Sequence, residues 1–82
     1  MTKSVFTPAY RLLMQSLIQA RHSSHLTQVD LAQKLKKPQS YVSKYESGER
    51  RLDVVEVLDI LKALNKKTAR FFADLDSQIT KI

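Results

Sequence analysis

The stretch Leu26-Thr27-Gln28-Val29-Asp30-Leu31-Ala32-Gln33-Lys34-Leu35-Lys36-Lys37-Pro38-Gln39-Ser40-Tyr41-Val42-Ser43-Lys44-Tyr45-Glu46-Ser47-Gly48 decides how this 82-residue chain is read. Thr27-Gln28-Val29-Asp30 is a helix-start pattern. The threonine hydroxyl accepts from the freed amides of the first turn, and the aspartate three residues on reaches back to it. The helix that follows runs to about Leu35 and buries Leu31, Ala32 and Leu35. Lys36-Lys37 leaves room only for a tight turn. Pro38 opens a second helix, where its missing N–H costs nothing. That helix runs to about Ser47, and Gly48 ends it in the left-handed conformation glycine tolerates. Two short helices joined by such a turn make a helix-turn-helix unit.

Around the second helix of this unit, Gln39, Ser40, Ser43, Lys44 and Ser47 share one face, with Val42 and Tyr45 opposite. A solvated face usually mixes acids and bases. This one has no acid, and it sets an amide and a lysine among hydroxyls. Glutamine matches adenine bidentately and lysine matches the acceptors of guanine, so the face is suited to reading base edges. Taken by itself, it is equally well read as an ordinary wet helix.

Outward from this unit, Thr7-Pro8 starts an earlier helix that runs to about His22. Tyr10, Leu13, Met14, Leu17 and Ile18 form its apolar stripe. Arg21 continues that stripe, and Glu46 lies four residues after Val42 on the inner side of the reading helix. A lone buried charge is costly, whereas an opposite pair is tolerated, so Arg21 and Glu46 are expected to pair and lock the two helices together. The alternative is that both side chains snorkel to the edge of the core. Residues His22–His25 are expected to connect the first two helices.

Downstream, Asp53 with Glu56 caps a fourth helix to about Leu64, with Val54, Val57, Leu58, Leu61 and Leu64 as its buried face. Thr68 is expected to cap a fifth. The chain is therefore all-α: an arm over residues 1–7 and one domain over residues 8–82.

Composition narrows the function. The chain has 14 basic and 8 acidic residues, a formal charge of +6, no cysteine and one glycine. Within Lys34–Arg51 lie Lys34, Lys36, Lys37, Lys44, Arg50 and Arg51 against Glu46 and Glu49, which places +4 of the +6 beside the reading helix. Such clustering suits phosphate contacts, which position a protein without reading sequence. The absence of cysteine removes a disulfide framework and fits a reducing cytoplasm. No apolar run approaches a membrane span or a signal peptide. His22 and His25 lack the further ligands that zinc needs. No nucleophile–base set or phosphate loop is present, so neither an enzyme nor a cofactor is expected.

The string Arg21-x4-Leu26-Thr27-Gln28-x2-Leu31-Ala32-x2-Leu35, continued by Gln39-Ser40-Tyr41-Val42-Ser43-Lys44-Tyr45-Glu46-x-Gly48 and Arg50-Arg51-Leu52, resembles the Cro/phage-repressor-type (XRE) helix-turn-helix family. The likeness covers about Tyr10 to Leu75. It implies a five-helix phage-repressor-like DNA-binding domain whose helix-turn-helix is formed by helices two and three. It also implies a role for each matching position. Gln39, Ser40, Ser43 and Lys44 face bases. Gln28 contacts a phosphate and braces Gln39, and Tyr41 packs on the sugar-phosphate edge or a thymine methyl. Lys37, the Ser47 amide and Arg50 or Arg51 hold phosphates. Arg21 and Glu46 match the family's internal ion pair. Three positions depart from the pattern: His25 and Lys36 stand where glycine is frequent, and Pro38 replaces the usual hydroxyl cap.

Double-stranded DNA is thus the expected partner, and transcriptional repression from a palindromic operator the expected activity. Helix-turn-helix dimers place their reading helices about 34 Å apart. A homodimer surface is expected on the fifth helix at Phe72, Leu75 and Ile79, joined by Ile60 or Val55, unless these residues finish the monomer's own core. An antitoxin that pairs with a toxin is the alternative built on the same fold. A non-specific binder of membranes or RNA would instead show affinity governed by salt alone.

Overall fold

The computed structural model describes residues 7–81. It consists of α1 (Pro8–Ser23), α2 (Gln28–Leu35), α3 (Gln39–Glu46), α4 (Val54–Ala63) and α5 (Thr68–Ile79). The expected N-terminal arm, apart from Thr7, and Ile82 lie outside the described residues. Thr7 is the cap of α1: its hydroxyl accepts from the Tyr10 amide at 3.2 Å. The α2 and α4 capping boxes are both closed, with Thr27 and Asp30 answering each other at 3.0 and 2.9 Å and Asp53 and Glu56 at 2.8 and 2.9 Å. Such caps contribute about 1 kcal/mol each. At α3 the cap position is Pro38, without a side-chain hydrogen bond. At α5 it is Lys67, so Thr68 is the first helical residue and does not cap the helix.

The first four helices close in the same way. An amide just past each helix returns to the carbonyl five residues back, from Leu26 to Arg21, Lys37 to Ala32, Glu49 to Lys44 and Lys66 to Leu61, at 2.9–3.2 Å. The residue before each of these amides is left-handed: His25 (φ 59°), Lys36 (φ 58°), Gly48 (φ 86°) and Asn65 (φ 58°). Only one of the four is glycine. The others bear the steric cost of a Cβ there, about 1–2 kcal/mol, in exchange for satisfied carbonyls. Helix α1 runs through His22 and Ser23, so the connector is shorter than the sequence implied.

The helices bury one common core. Leu17, Leu31, Val42, Tyr45, Ile60 and Leu61 have essentially no solvent contact. Burying a large apolar side chain contributes about 1.5–3 kcal/mol. Around them pack Tyr10, Met14, Ala32, Leu52, Val57 and Leu64. α3 lies against α2 and α1, and α5 lies against α1 and α4.

Helix α4 departs from expectation. Its buried face is Val57, Ile60, Leu61 and Leu64, while Val54 is 71% and Leu58 39% exposed. Val57, Leu61 and Leu64 define the stripe. Ile60 lies about 60° to one side of Val57 and Val54 about 60° to the other, so periodicity alone permits either flank. α4 packs against α2 and α5, and in that packing the Ile60 side is the one buried. Ile60 is therefore a core residue with no surface to offer a second chain. Leu75, 6% exposed, is also buried within the monomer. Phe72 is half-buried and packs on the core. Ile79 is half-buried near the end of α5.

Candidate nucleic-acid interface

Helix α3 presents Gln39, Ser40 and Lys44 to solvent, with Ser43 half-buried between them. Val42 and Tyr45 hold the helix from behind, both 0% exposed. The polar face is thus outward because the two apolar residues opposite it are the ones the core takes.

The rotation of α3 is fixed by its last residue. Glu46 accepts from Arg21 Nε at 2.8 Å and Nη2 at 3.0 Å, and from Gln28 Nε2 at 2.9 Å. Arg21 Nη1 donates to the Leu26 carbonyl at 2.9 Å. The Arg21 and Glu46 side chains are only 10% and 7% exposed. A desolvated pair is tolerable when it is well hydrogen-bonded; here Glu46 accepts three bonds, and Arg21 Nη2 also lies 3.3 Å from His22 Nε2. Hydrogen bonding to the Glu46 carboxylate, which accepts, holds the Arg21 guanidinium even above its usual high pKa. Gln28 therefore braces Glu46. Among the described residues it has no hydrogen bond to Gln39, which the resemblance had implied.

The flank of α3 is organised by Tyr41. Its half-buried ring meets Tyr45 edge-on at 5.7 Å between centroids. Arg50 Cζ lies 4.9 Å and Lys37 Nζ 5.4 Å from its centre. Burial pushes the Tyr41 phenol up, and the nearby Glu56 carboxylate adds to this. Arg50 is not an unengaged cation. Its Nη1 and Nη2 bind the two oxygens of Glu56 at 3.1 and 2.6 Å. Glu56 also accepts from the Asp53 amide, and the two interactions, Arg50 first, hold its carboxyl down at about 2. The Arg50–Glu56 pair was missed in the sequence, where Glu56 registered only as a cap. Its one signal was an arginine six residues before that cap.

Arg51 is exposed, with its guanidinium 4.6 Å above the Tyr10 ring. The Tyr10 hydroxyl accepts from the buried Leu52 amide at 3.1 Å, which fastens the loop after α3 to α1. Lys37 is exposed. Ser47 differs from the expected role, because its amide already donates to the Ser43 carbonyl at 3.0 Å. Its hydroxyl donates to the Lys44 carbonyl and to Glu49. Gln39, Ser40, Ser43 and Lys44 thus share one surface with Lys37 and the Arg50–Arg51 loop at its edge.

Among the described residues, no helix is long and apolar enough to cross a membrane. The helix-turn-helix family model matches residues 17–71. A solved structure of an XRE-family like protein from Pseudomonas syringae pv. tomato str. DC3000 superposes with a TM-score of 0.84 at 36% identity, covering 95% of this chain and 98% of that one. No curated protein sequence matches.

Proposed function

The chain belongs to the XRE-type helix-turn-helix family of DNA-binding transcription regulators, and from that premise we propose that it reads a specific double-stranded operator in the cytoplasm and represses by occluding it. The observation that carries this is the outward face of α3, with Gln39, Ser40 and Lys44 exposed while Val42 and Tyr45 are sealed behind them. Gln39, Ser40, Ser43 and Lys44 enter the major groove, which admits an α-helix. Lys37, Tyr41 and Arg51 meet the sugar-phosphate backbone beside it, and Gln28 meets it at the start of α2.

Selection from random duplexes, followed by salt titration of the winner, tests the reading. Gln39→Ala or Lys44→Ala should cost about 1–3 kcal/mol and relax preference at one base pair. Unchanged preference in both variants would remove α3 as the reader.

The protein acts as a homodimer on a palindrome. Its principal dimensions are 34 × 32 × 20 Å. One copy offers one reading helix, whereas half-sites lie about 34 Å apart, so a second copy is needed to fill both. With Ile60 and Leu75 committed to the core, the contact surface is the exposed apolar strip Val54, Val55 and Leu58 at the start of α4. A two-fold contact can use one such strip from each copy. Leu58→Asp should sediment as a monomer and bind the selected duplex far more weakly. A persistent dimer would exclude this surface.

A further inference from the structure

Arg50 borders the face of α3 read above as entering DNA, and it is already answered. It lies two residues past Gly48, beside the Tyr41 ring on the flank of α3. Both of its terminal nitrogens are engaged by the two oxygens of Glu56, at 3.1 and 2.6 Å. This is the fork-to-fork geometry in which a guanidinium also receives a phosphate. The side chains of the pair are 41% and 21% exposed, so the pair faces solvent and an incoming anion can reach it. A phosphate oxygen pair offers the guanidinium the same bidentate hydrogen bonds, so it can take the place of the carboxylate. Glu56 is also held by the Asp53 amide as part of the cap of α4, a bond that does not depend on Arg50.

We propose that Glu56 is an internal competitor for phosphate, holding Arg50 off loosely bound DNA and yielding it only when a duplex seats fully against α3. The proposal rests on the DNA-binding reading above. The exchange replaces two hydrogen bonds to a carboxylate with two to a phosphate. A non-specific duplex, which does not seat, gains no contact from Arg50, and a cognate duplex does. Glu56 therefore widens the gap between specific and non-specific binding without touching DNA.

Glu56→Gln is the direct test, because glutamine keeps the capping oxygen and removes the charge. The variant should bind a random-sequence duplex several-fold more tightly than wild type. Its plot of log affinity against log salt should steepen by about one unit, as one added phosphate contact requires. The selected duplex should gain less, so the specificity ratio falls. The gain should vanish when Glu56→Gln is made in an Arg50→Gln background. A gain that survives there would show simple loss of a repelling charge and overturn the proposal. So would a folded Glu56→Gln protein with unchanged or weaker non-specific binding. In the wild-type protein, the Arg50 Nε–H and Glu56 carboxyl NMR signals should shift when the selected duplex is added, and less with a random one. Signals that do not move would overturn the proposal independently of any variant. If the wild type shows no salt-dependent affinity for any duplex, the DNA-binding reading itself fails and the proposal with it. Additive Arg50 and Glu56 effects in a protein that does bind would sink the proposal alone.

Discussion

Two tyrosine hydroxyls in one core have opposite standing. That of Tyr10 accepts from the buried Leu52 amide. That of Tyr45 is buried without a hydrogen-bond partner among the described residues, and burial pushes its pKa up. An unmade buried hydrogen bond costs about 1–3 kcal/mol. Tyr10→Phe should therefore destabilise by about that amount, since it orphans the Leu52 amide. Tyr45→Phe should be neutral or stabilising, since it removes a group already unanswered. Urea titration of the two variants checks the contrast, and equal losses would contradict it. Both tyrosines were legible as apolar-face residues from their spacing. Their hydroxyls were not, because Leu52 is 42 positions from Tyr10 and only tertiary packing brings the two together.

Between elements, α1 is tied to α3 through Arg21 and Glu46. Both residues interrupted apolar stripes, and that interruption is what made the pair readable in the sequence. Its third member, Gln28, was readable only as a helix-start residue, because nothing local to α2 says which side chain on α3 it meets. Removing one partner of a buried pair costs about 3–5 kcal/mol, since the other charge is left unanswered. Arg21→Ala should lower the urea midpoint accordingly. Arg21→Met combined with Glu46→Leu should recover most of the loss, because no buried charge then remains. A single variant as stable as wild type would place both side chains in solvent.

For the whole molecule, acid is the informative stress. The Glu56 carboxyl is held at about 2, below its ordinary 4.5, by Arg50 and by the Asp53 amide. Asp30 is lowered in the same sense by its bonds with Thr27. A carboxyl depressed on folding contributes stability that is full above its unfolded value and is lost as pH falls through the folded one. The melting temperature should therefore drop between about pH 4.5 and pH 2. Glu56→Gln should flatten that drop, since its amide does not titrate. An unchanged acid profile in that variant would mean that Arg50 does not hold Glu56 in solution.

The chain by itself determined five helices, the caps of α1, α2 and α4, the outward face of α3 and the Arg21–Glu46 pair. These follow from local rules: 3.6-residue periodicity, hydroxyl and carboxylate capping, and the cost of a lone charge on an apolar stripe. Tertiary structure alone decided which flank of α4 is buried, that Ile60 and Leu75 belong to the core while Val54, Val55 and Leu58 do not, and that Arg50 is bound by Glu56. The physical reason is the same in each case. A helix with apolar residues on both sides of its stripe has no local preference between them, and an exposed arginine has none among the carboxylates within its reach. Contacts made by distant segments settle both.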